Sequence, residues 1–501
     1  MQEDRIRYQP LLKKITDPAT AARHIKDGTN LFISGFTAGY PKLIPKELAR
    51  RAKEGENFKI NLFAGASTGD AVDRLLAEAD VINWRRPYMS DPVMRNMINE
   101  GEIAFKDDHL SSLASQVRSG EWGDAHVAVV EAVAITEKGA LIPTMSVGST
   151  PTFVKVAEKI IIEMSNSEPP ELAGIHDIFI PEDPPYRMPI PIYRAADRIG
   201  KPFIDMDPNR VVAILFHDEQ DSCPVFMPHD LISQRIAEQI LDFVRHEIRR
   251  GRLPNGLPWQ AGVGHVANAV LGEFMDDAFF DSIELYSEVL QDSVLDLIDM
   301  GKVRAASGSA LTLSQKARNR FFDELYRYRE KVILRPVEIS NSPEVISRLG
   351  VLAINTAMEI DIYGQANSTH VMGSHMMNGI GGSGDYMRNG AVTFMVTPST
   401  TKKGRISAIV PMVPHVDHSE HSVDVIVTEN GLVDTRPLTP KQTAEQIIKK
   451  CAHPDYRDIL WDYYQRALKQ RGGHEPQLLG EAFSFHERFM KTGDMRIDTQ
   501  K

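Results

Sequence analysis

One stretch just past the middle of the chain contains a glutamate at a position where a functional side chain is expected. It reads Asp281-Ser-Ile-Glu-Leu-Tyr-Ser-Glu-Val-Leu-Gln-Asp-Ser293. Ile283, Leu285 and Tyr286 favour a β-strand, and Glu288 follows where that strand should end. Open α/β sheets bind their ligands at the carboxyl ends of strands. Glu288 is therefore the first candidate for a functional carboxylate.

A second carboxylate and a glycine-rich turn are further candidates. Glu429, in Thr-Glu-Asn-Gly431, ends an apolar strand in the same way, and chemistry alone does not rank it below Glu288. Residues 379–385 read Gly-Ile-Gly-Gly-Ser-Gly-Asp, with four glycines in six positions. Such a turn lets a ligand approach the backbone closely and leaves several N–H groups pointing one way. Lys402 and Lys403 follow within reach of a phosphate or carboxylate, although a solvated surface pair explains them equally well.

Two short motifs suggest other enzyme classes. Gly262-Val-Gly264-His-Val-Ala267 fits the dinucleotide pattern G-x-G-x-x-A, and Glu284 follows Gly264 at the expected spacing. Against this reading, residues 257–261 are a poor candidate for a buried strand. Gly65-Ala-Ser67-Thr-Gly69 fits the G-x-S-x-G pattern of serine hydrolases, but no oxyanion motif precedes it. An NAD-dependent dehydrogenase and a serine hydrolase remain as alternatives from outside classes.

A cluster of imidazole and carboxylate side chains raises the question of a metal. It consists of His415, Asp417, His418 and His421. Their spacing matches no established zinc pattern, and the segment leads directly into the strand predicted at residues 423–427. A hydrogen-bonded polar turn explains the cluster better, and we predict no catalytic metal.

The overall composition excludes several classes. The chain has 501 residues and a formal net charge of −11. This length favours two domains, and the negative charge argues against a general nucleic-acid binder, which needs a basic face. Two cysteines, Cys223 and Cys451, cannot form a disulfide framework or a thiolate metal site. The N-terminus lacks a signal-peptide core and no uncharged run reaches membrane-spanning length, so we expect a cytoplasmic protein with no membrane partner.

The hydrophobic pattern predicts parallel sheets. Strand candidates alternate with glycine turns and helical segments, as in sheets covered by helices on both faces. The strands are predicted at residues 30–34, 59–64, 125–135 and 210–216, and helices at 11–28, 44–52, 71–79 and 230–250. Prolines between residues 168 and 194 predict an extended connector without regular structure.

The second half of the chain repeats parts of the first. Lys59-Ile-Asn-Leu-Phe-Ala-Gly65 resembles Ser282-Ile-Glu-Leu-Tyr-Ser-Glu288, and Ile135-Thr-Glu-Lys-Gly-Ala-Leu141 resembles Val427-Thr-Glu-Asn-Gly-Leu-Val433. We therefore predict two related α/β domains in tandem, at residues 1–220 and 221–501, each a mainly parallel sheet flanked by helices. Only the second copy has a carboxylate, Glu288, at the strand end where the first has Gly65.

Several motifs, in order along nearly the whole chain, together resemble the acetyl-CoA hydrolase/transferase family of class I CoA-transferases. Besides the proline-rich connector and the 379–385 turn, they are Ser34-Gly-Phe-Thr-Ala-Gly-Tyr-Pro-Lys42, Arg86-Pro-Tyr-Met-Ser-Asp-Pro92, Gly262-Val-Gly-His-Val-Ala-Asn-Ala-Val270, Leu285-Tyr-Ser-Glu-Val-Leu-Gln-Asp292, Glu359-Ile-Asp-Ile-Tyr-Gly364 and Cys451-Ala-His-Pro-Asp-Tyr456. The resemblance implies two CoA-transferase-like domains, a homodimer, and no cofactor beyond coenzyme A as part of the substrate.

The resemblance also implies an activity. CoA would move between a short-chain acyl-CoA (acetyl, propionyl or succinyl) and a carboxylate, through an acyl-glutamyl anhydride and a glutamyl-CoA thioester. Hydrolysis of acetyl-CoA by the same glutamate is the alternative. Succinyl-CoA:acetate members carry an arginine around Asp221-Ser-Cys223, which this chain lacks, so the carboxylate substrate stays open.

Roles for single residues follow from the same resemblance. The family's nucleophile lies in a Tyr-Thr-Glu-Val-type segment, which Tyr286-Ser-Glu288-Val matches. More distant two-subunit transferases use a Glu-Asn-Gly segment, which Glu429-Asn-Gly431 resembles, so Glu429 is implied as an active-site partner. Asn341 matches a further active-site position. The residues implied in binding CoA or the oxyanion are Val263, Gly264, Gly382, Gly384 and Lys402.

Overall fold

The computed structural model describes residues 3–222, 230–262 and 264–497. Packing divides the chain into two units, each made of three segments. The first unit comprises Met1–Phe226, Ser282–Leu349 and Asn378–Asp385, and the second comprises Met227–Asp281, Gly350–Met377 and Tyr386–Lys501.

The two units are defined by which segments pack together, whereas the domain boundary predicted at residue 220 is based on the sequence. The first segment of the first unit ends close to residue 220, but Ser282–Leu349, which contains Glu288, packs with it. Backbone hydrogen bonds join the two segments, from the Val147 N–H to the Ser309 carbonyl and from the Leu311 N–H to the Met145 carbonyl, each 2.9 Å long. The two-domain division by homology stays a prediction.

Seven parallel strands form the main sheet of the first unit. Their order across the sheet is Ala104–Phe105, Ile82–Arg86, Ile60–Phe63, Asn30–Ile33, Val127–Ala132, Lys159–Ser165 and Val211–His217. Every residue of Val127–Ala132 is buried, as expected for a central strand with both faces covered. The α-helices of this segment are Pro18–Ala22, Leu43–Lys53, Asp73–Glu78, Pro92–Glu100, Leu110–Arg118 and Thr150–Val156.

Glu288 follows a strand of the same unit. Ile283–Tyr286, Val303–Gly308 and Val332–Leu334 lie side by side in parallel, and Val289–Leu290 pairs with Ala310–Leu311. The helices here are Asp292–Asp299, Gln315–Asp323, Leu325–Tyr328, Val337–Ser340 and Pro343–Leu349. Glu288 stands two residues beyond its strand, as Gly65 does beyond Ile60–Phe63, which agrees with the predicted repeat.

The second unit has a parallel sheet with one antiparallel strand at its edge. The strands are Trp259–Ala261, Leu352–Thr356, Val392–Val396, Val425–Thr428 and the antiparallel Gly431–Asp434. Small sheets contain Glu359–Asp361, Ala366–Asn367, Ile409–Val410, His370–Val371, His375–Met376, Thr400–Thr401 and Ile406–Ser407. The helices are Leu231–Arg249, His265–Asp276, Pro440–Lys450, Pro454–Gln470 and Ser484–Thr492, and Ser383–Asn389 begins at the end of the first unit.

The predicted α/β class with parallel sheets flanked by helices is confirmed, and two local predictions are wrong. The helix predicted at residues 11–28 is a 3₁₀ helix, Gln9–Lys14, and a short α-helix, Pro18–Ala22. Residues before proline avoid the helical region, and Asp17 caps the second helix by accepting the Thr20 N–H. The weak strand at 257–261 is in fact the buried strand Trp259–Ala261.

One of the two cysteines lies within the described part of the chain. Cys451 is buried, and burial raises the pKa of its thiol to about 12; Cys223 lies outside the described residues. Within residues 3–222, 230–262 and 264–497, no helix is both long and apolar enough to cross a bilayer.

The buried pair of Arg85 and Asp73 yields a stability prediction. Both side chains are fully buried, and Arg85 Nε lies 2.8 Å from Asp73 Oδ1. Asp73→Ala leaves a buried guanidinium without its counter-charge, so we expect the free energy of unfolding to fall by about 3–5 kcal/mol. Urea denaturation followed by circular dichroism measures this.

Asp70→Ala is the matched control. Asp70 pairs with Arg74 at 3.1 Å, but its side chain is largely exposed, and exposed pairs contribute little. Equal destabilisation by the two variants would contradict the expected dominance of the buried pair.

Candidate active site

The backbone of Glu288 is fixed where its strand ends. The Ser309 N–H donates to the Glu288 carbonyl at 2.7 Å, and the Ser287 N–H donates to the Ser307 carbonyl at 2.9 Å. These bonds tie the turn after Ile283–Tyr286 to the neighbouring strand. The side chain of Glu288 therefore projects from a rigid position at the carboxyl edge of the strands, where the sequence predicted a functional carboxylate.

The carboxylate of Glu288 is held by one amide and is poorly hydrated. Asn341 Nδ2 donates to Glu288 Oε2 at 2.7 Å. Although the residue keeps some exposed surface, burial of the carboxyl group raises its pKa to about 7, the Asn341 hydrogen bond lowers it, and the nearby charge of Asp385 raises it. A carboxylate with such a pKa is more basic, and hence a better nucleophile, than an ordinary glutamate.

Asn341 is fully buried and its amide is fixed from several sides. Its Nδ2 also donates to Asp385 Oδ2 at 3.2 Å, and the Ser340 hydroxyl donates to its Oδ1 at 2.9 Å. The hydroxyl of Tyr286 donates to the Ile339 carbonyl at 2.6 Å, which anchors the turn that carries Asn341 to the strand before Glu288. The amide is thus aimed at the carboxylate of Glu288.

The glycines of the 379–385 turn lie against side chains of the same unit. A Cβ atom on Gly382 would overlap Glu288 Oε2 and lie 2.8 Å from Asn341 Nδ2. A Cβ on Gly384 would overlap the His109 ring, and one on Gly379 would overlap Asp107. We predicted that these glycines let a ligand approach the backbone; in the structure, protein side chains already approach it this closely. Glycine is required here by packing.

Sequence reasoning missed the polar residues that hold this turn. Asp107 Oδ2 accepts the Ile380 N–H at 2.5 Å. Asp385 accepts the Ser111 N–H at 3.0 Å and the Ser111 hydroxyl at 2.5 Å. Asp107 and Ser111 lie in Lys-Asp-Asp-His-Leu-Ser, directly after the strand Ala104–Phe105. A polar run at the carboxyl end of a strand was the signal available for finding them.

The other predicted site residues belong to the second unit. Glu429 lies in the turn between Val425–Thr428 and Gly431–Asp434 and accepts the Ser399 N–H at 2.8 Å. Lys402 lies exposed in a hairpin turn with φ of 47°, its Nζ 5.2 Å from the centre of the Phe489 ring. Gly264 precedes the helix His265–Asp276, and Val263 lies outside the described residues.

The serine-hydrolase motif and the histidine cluster receive little support from their surroundings. The hydroxyl of Ser67 lies 3.0 Å from that of Ser90 and 3.5 Å from Asp73, and neither neighbour is the histidine that a serine hydrolase needs. In the cluster of His415, Asp417, His418 and His421, which we interpreted as a polar turn, Asp417 accepts hydrogen bonds from Ser368 and Thr369. No set of three or more histidine, cysteine, aspartate or glutamate residues in the described part of the chain is arranged to hold a metal ion.

Comparison with protein-family models decides the family. The acetyl-CoA hydrolase/transferase N-terminal domain matches residues 1–216, and the C-terminal domain of the same name matches residues 318–464. The chain belongs to the acetyl-CoA hydrolase/transferase family. Its relatives are named CoA-transferases and acetyl-CoA hydrolases, and this family member is an enzyme.

Curated relatives of both activities match almost the full chain. A succinyl-CoA:acetate CoA-transferase from Clostridium kluyveri is 45% identical over 99% of this chain and 92% of its own length. A propanoyl-CoA:succinate CoA transferase from Escherichia coli is 42% identical, covering 95% and 97%. An acetyl-CoA hydrolase from Schizosaccharomyces pombe is also 42% identical, covering 99% and 98%. Similarity alone therefore does not choose between transfer and hydrolysis.

Solved structures support the fold at lower identity. RipA from Yersinia pestis matches with a TM-score of 0.72 at 22% identity, covering 91% of this chain and 97% of that one. A 4-hydroxybutyrate CoA-transferase from Porphyromonas gingivalis matches with a TM-score of 0.63 at 20% identity, covering 91% and 99%. The predicted CoA-transferase-like fold is thus confirmed.

The close approach at Gly382 can be tested by adding one methyl group. In Gly382→Ala, the new Cβ displaces the Glu288 carboxylate or the Asn341 amide. Misplacement of reacting groups by about 1 Å costs roughly a hundredfold in rate. We expect acyl-CoA turnover to fall by about that factor while circular dichroism stays that of the wild type.

Gly480→Ala is the control, because nothing lies within 4 Å of a Cβ built on Gly480. It should retain wild-type turnover. Wild-type turnover in Gly382→Ala would mean that the 379–385 turn does not constrain Glu288.

Proposed function

We propose that this enzyme is a CoA-transferase that moves CoA between a short-chain acyl-CoA and a carboxylate, with Glu288 as the nucleophile. The carboxylate of Glu288 carries the proposal: it projects from a strand end, its pKa is raised to about 7, and Asn341 holds one of its oxygens. A covalent catalyst needs a nucleophile that is activated and oriented in this way. Acetyl, propionyl and succinyl groups are the candidate acyl groups.

The proposed reaction proceeds through two covalent intermediates. A Glu288 oxygen attacks the thioester carbonyl carbon, and the C–S bond breaks to give an acyl-glutamyl anhydride and CoA thiolate. The thiolate attacks the glutamyl carbonyl carbon, and a C–O bond breaks to release the first carboxylate and leave a glutamyl-CoA thioester. A second carboxylate reverses these steps and leaves as its CoA ester. Since one carboxylate enters and one leaves, no net proton transfer is needed.

Each addition step also creates an oxyanion that requires a hydrogen-bond donor. The backbone of Gly382 lies against the Glu288 carboxylate, which makes its N–H our candidate donor. Loss of one such donor raises the barrier by about 2.7–4 kcal/mol. The roles of Val263, Gly264, Glu429 and Lys402 stay predictions.

Acetyl-CoA hydrolysis is the second candidate, because relatives with that name match the chain as fully as the transferases do. Water would then attack a covalent intermediate in place of the second carboxylate. Exclusion of water from the covalent intermediate would favour transfer, and access of water would favour hydrolysis. Acetate-dependent exchange of CoA, compared with release of free CoA in the absence of acetate, distinguishes them.

Intact mass spectrometry tests the nucleophile directly. Wild-type protein mixed with acetyl-CoA and no acceptor should gain the mass of CoA less one water, and Glu288→Ala should gain nothing. Borohydride reduction of a glutamyl thioester gives the matching alcohol and fixes the site.

Glu429→Ala is the comparison variant, because Glu429 is the other candidate carboxylate. An adduct that persists in Glu288→Ala but is lost in Glu429→Ala would transfer the nucleophile to Glu429.

The pH dependence of turnover tests the environment of Glu288. Only the ionised carboxylate attacks, and the pKa of Glu288 is raised to about 7 by burial. The value of kcat/KM should therefore rise with pH and level off above about 7. An acid limb near the ordinary glutamate pKa of about 4.3 would mean that Glu288 is hydrated or is not the titrating group.

A further inference from the structure

We propose that Asp385, anchored by Ser111, is a positioning residue that fixes the Asn341 amide so that it donates to Glu288 throughout the reaction. This inference rests on the proposed role of Glu288. The side chains of Asp385, Asn341 and Glu288 form one hydrogen-bonded chain within the first unit, in which the single amide group of Asn341 bridges the two carboxylates.

The geometry leaves the Asn341 amide one orientation. Each of its two N–H bonds meets a carboxylate oxygen, at 2.7 Å for Glu288 and 3.2 Å for Asp385. If the amide were flipped, its carbonyl oxygen would face these two acceptors. In the observed orientation, that oxygen instead accepts a hydrogen bond from the Ser340 hydroxyl. Acceptors cannot pair with acceptors. Asp385 therefore holds the second N–H and leaves the first for Glu288.

Asp385 is itself held in place from the helix Leu110–Arg118. It is buried and accepts both the backbone N–H and the hydroxyl of Ser111, the second residue of that helix. The N–H groups of a first helical turn have no partner within the helix and favour a negative charge. This support stabilises the ionised form of Asp385 against the burial that raises its pKa.

The hydrogen bond between Asn341 and Asp385 matters most when Glu288 loses its own charge. In the anhydride and in the thioester, the glutamyl carbonyl is neutral and attracts the amide less strongly than a carboxylate does. Asp385 takes no part in the covalent bonds of either state, and its hydrogen bond with the Asn341 amide therefore keeps that amide aimed. The same N–H can then donate to the oxyanion that forms when thiolate attacks the glutamyl carbonyl.

Other titratable groups surround the two carboxylates. The charge of His109 lowers the pKa of Asp385. Burial raises the pKa of Tyr88, and the charges of Glu288 and Asp107 raise it further. Asp385 is the carboxylate whose charge raises the pKa of Glu288, so removal of that charge should be visible in the pH profile.

The test is Asp385→Asn, which removes the charge and keeps the shape. We expect kcat to fall about tenfold to a hundredfold, and KM for acyl-CoA to change by less than about threefold because ground-state binding is untouched. The acid limb of kcat/KM should move to lower pH by about one unit, because a like charge beside Glu288 is lost. Ser111→Ala should shift both quantities in the same direction by a smaller amount. The double variant should equal Asp385→Asn, since Ser111 acts through Asp385.

Asp292→Asn is the matched control. Asp292 accepts the N–H of Ser314 at 2.8 Å and also its hydroxyl, as Asp385 does from Ser111. It should retain the wild-type kcat and pH profile. Equal losses in Asp292→Asn and Asp385→Asn, with both acid limbs unmoved, would assign Asp385 a structural role and overturn the proposal.

Failure of this proposal and failure of the proposed function give different results. If Glu288→Ala exchanges CoA at the wild-type rate, the nucleophile is wrong. If Glu288 is essential but Asp385→Asn keeps the wild-type kcat and acid limb, only the positioning role is wrong. Should Asp385→Asn fail to fold, Ser111→Ala decides: a lowered kcat with a shifted acid limb supports the role, and wild-type kinetics overturns it.

Discussion

The hydrogen bond between the Asn341 amide and the Glu288 carboxylate is the interaction on which the site depends. Burial alone would push Glu288 towards its neutral form, in which it is no nucleophile. The hydrogen bond from the amide favours the charged form and lowers the pKa of Glu288. The neighbouring charge of Asp385 raises that pKa, as burial does. A pKa near 7 is the result of these opposing effects. It leaves a carboxylate that is more basic than usual yet still ionised in a large fraction of molecules at neutral pH.

Three separate parts of the first unit must meet for this bond to form. Glu288 and Asn341 come from Ser282–Leu349, the glycine turn from Asn378–Asp385, and Ser111 from the N-terminal segment. The glycines allow these segments to pack together, because a Cβ at Gly382 would overlap Glu288 and a Cβ at Gly384 would overlap His109. Close packing of the backbone against these side chains is a rigid arrangement, and rigid support is what holds reacting groups within a fraction of an ångström.

Strand ends could be predicted from the sequence, whereas long-range polar pairs could not. Alternation of apolar runs and glycine turns predicted four of the seven strands in the main sheet of the first unit and located Glu288 just past its strand. Asn341 was implied only by family resemblance, because no pattern around it predicts an active amide. Ser111 and Asp385 are 274 positions apart, and periodicity shows which face a residue occupies but not which loop it meets. The helix predicted at residues 11–28 is interrupted because Pro18 and the Asp17 cap start a new helix.

The arrangement around Glu288 also bears on the difference between transfer and hydrolysis. In the proposed mechanism, water and a carboxylate compete for the same covalent intermediate, and the outcome depends on which of them has access to it rather than on Glu288. A carboxylate acceptor carries a negative charge into a site that already holds Asp385, and that repulsion disfavours its entry relative to neutral water. Cationic or N–H groups elsewhere along the acceptor's path must therefore compensate for Asp385 if transfer is to prevail. On this view the charge beside Asn341 serves the covalent chemistry, and the choice of acceptor is made by groups outside the hydrogen-bonded chain from Ser111 to Glu288.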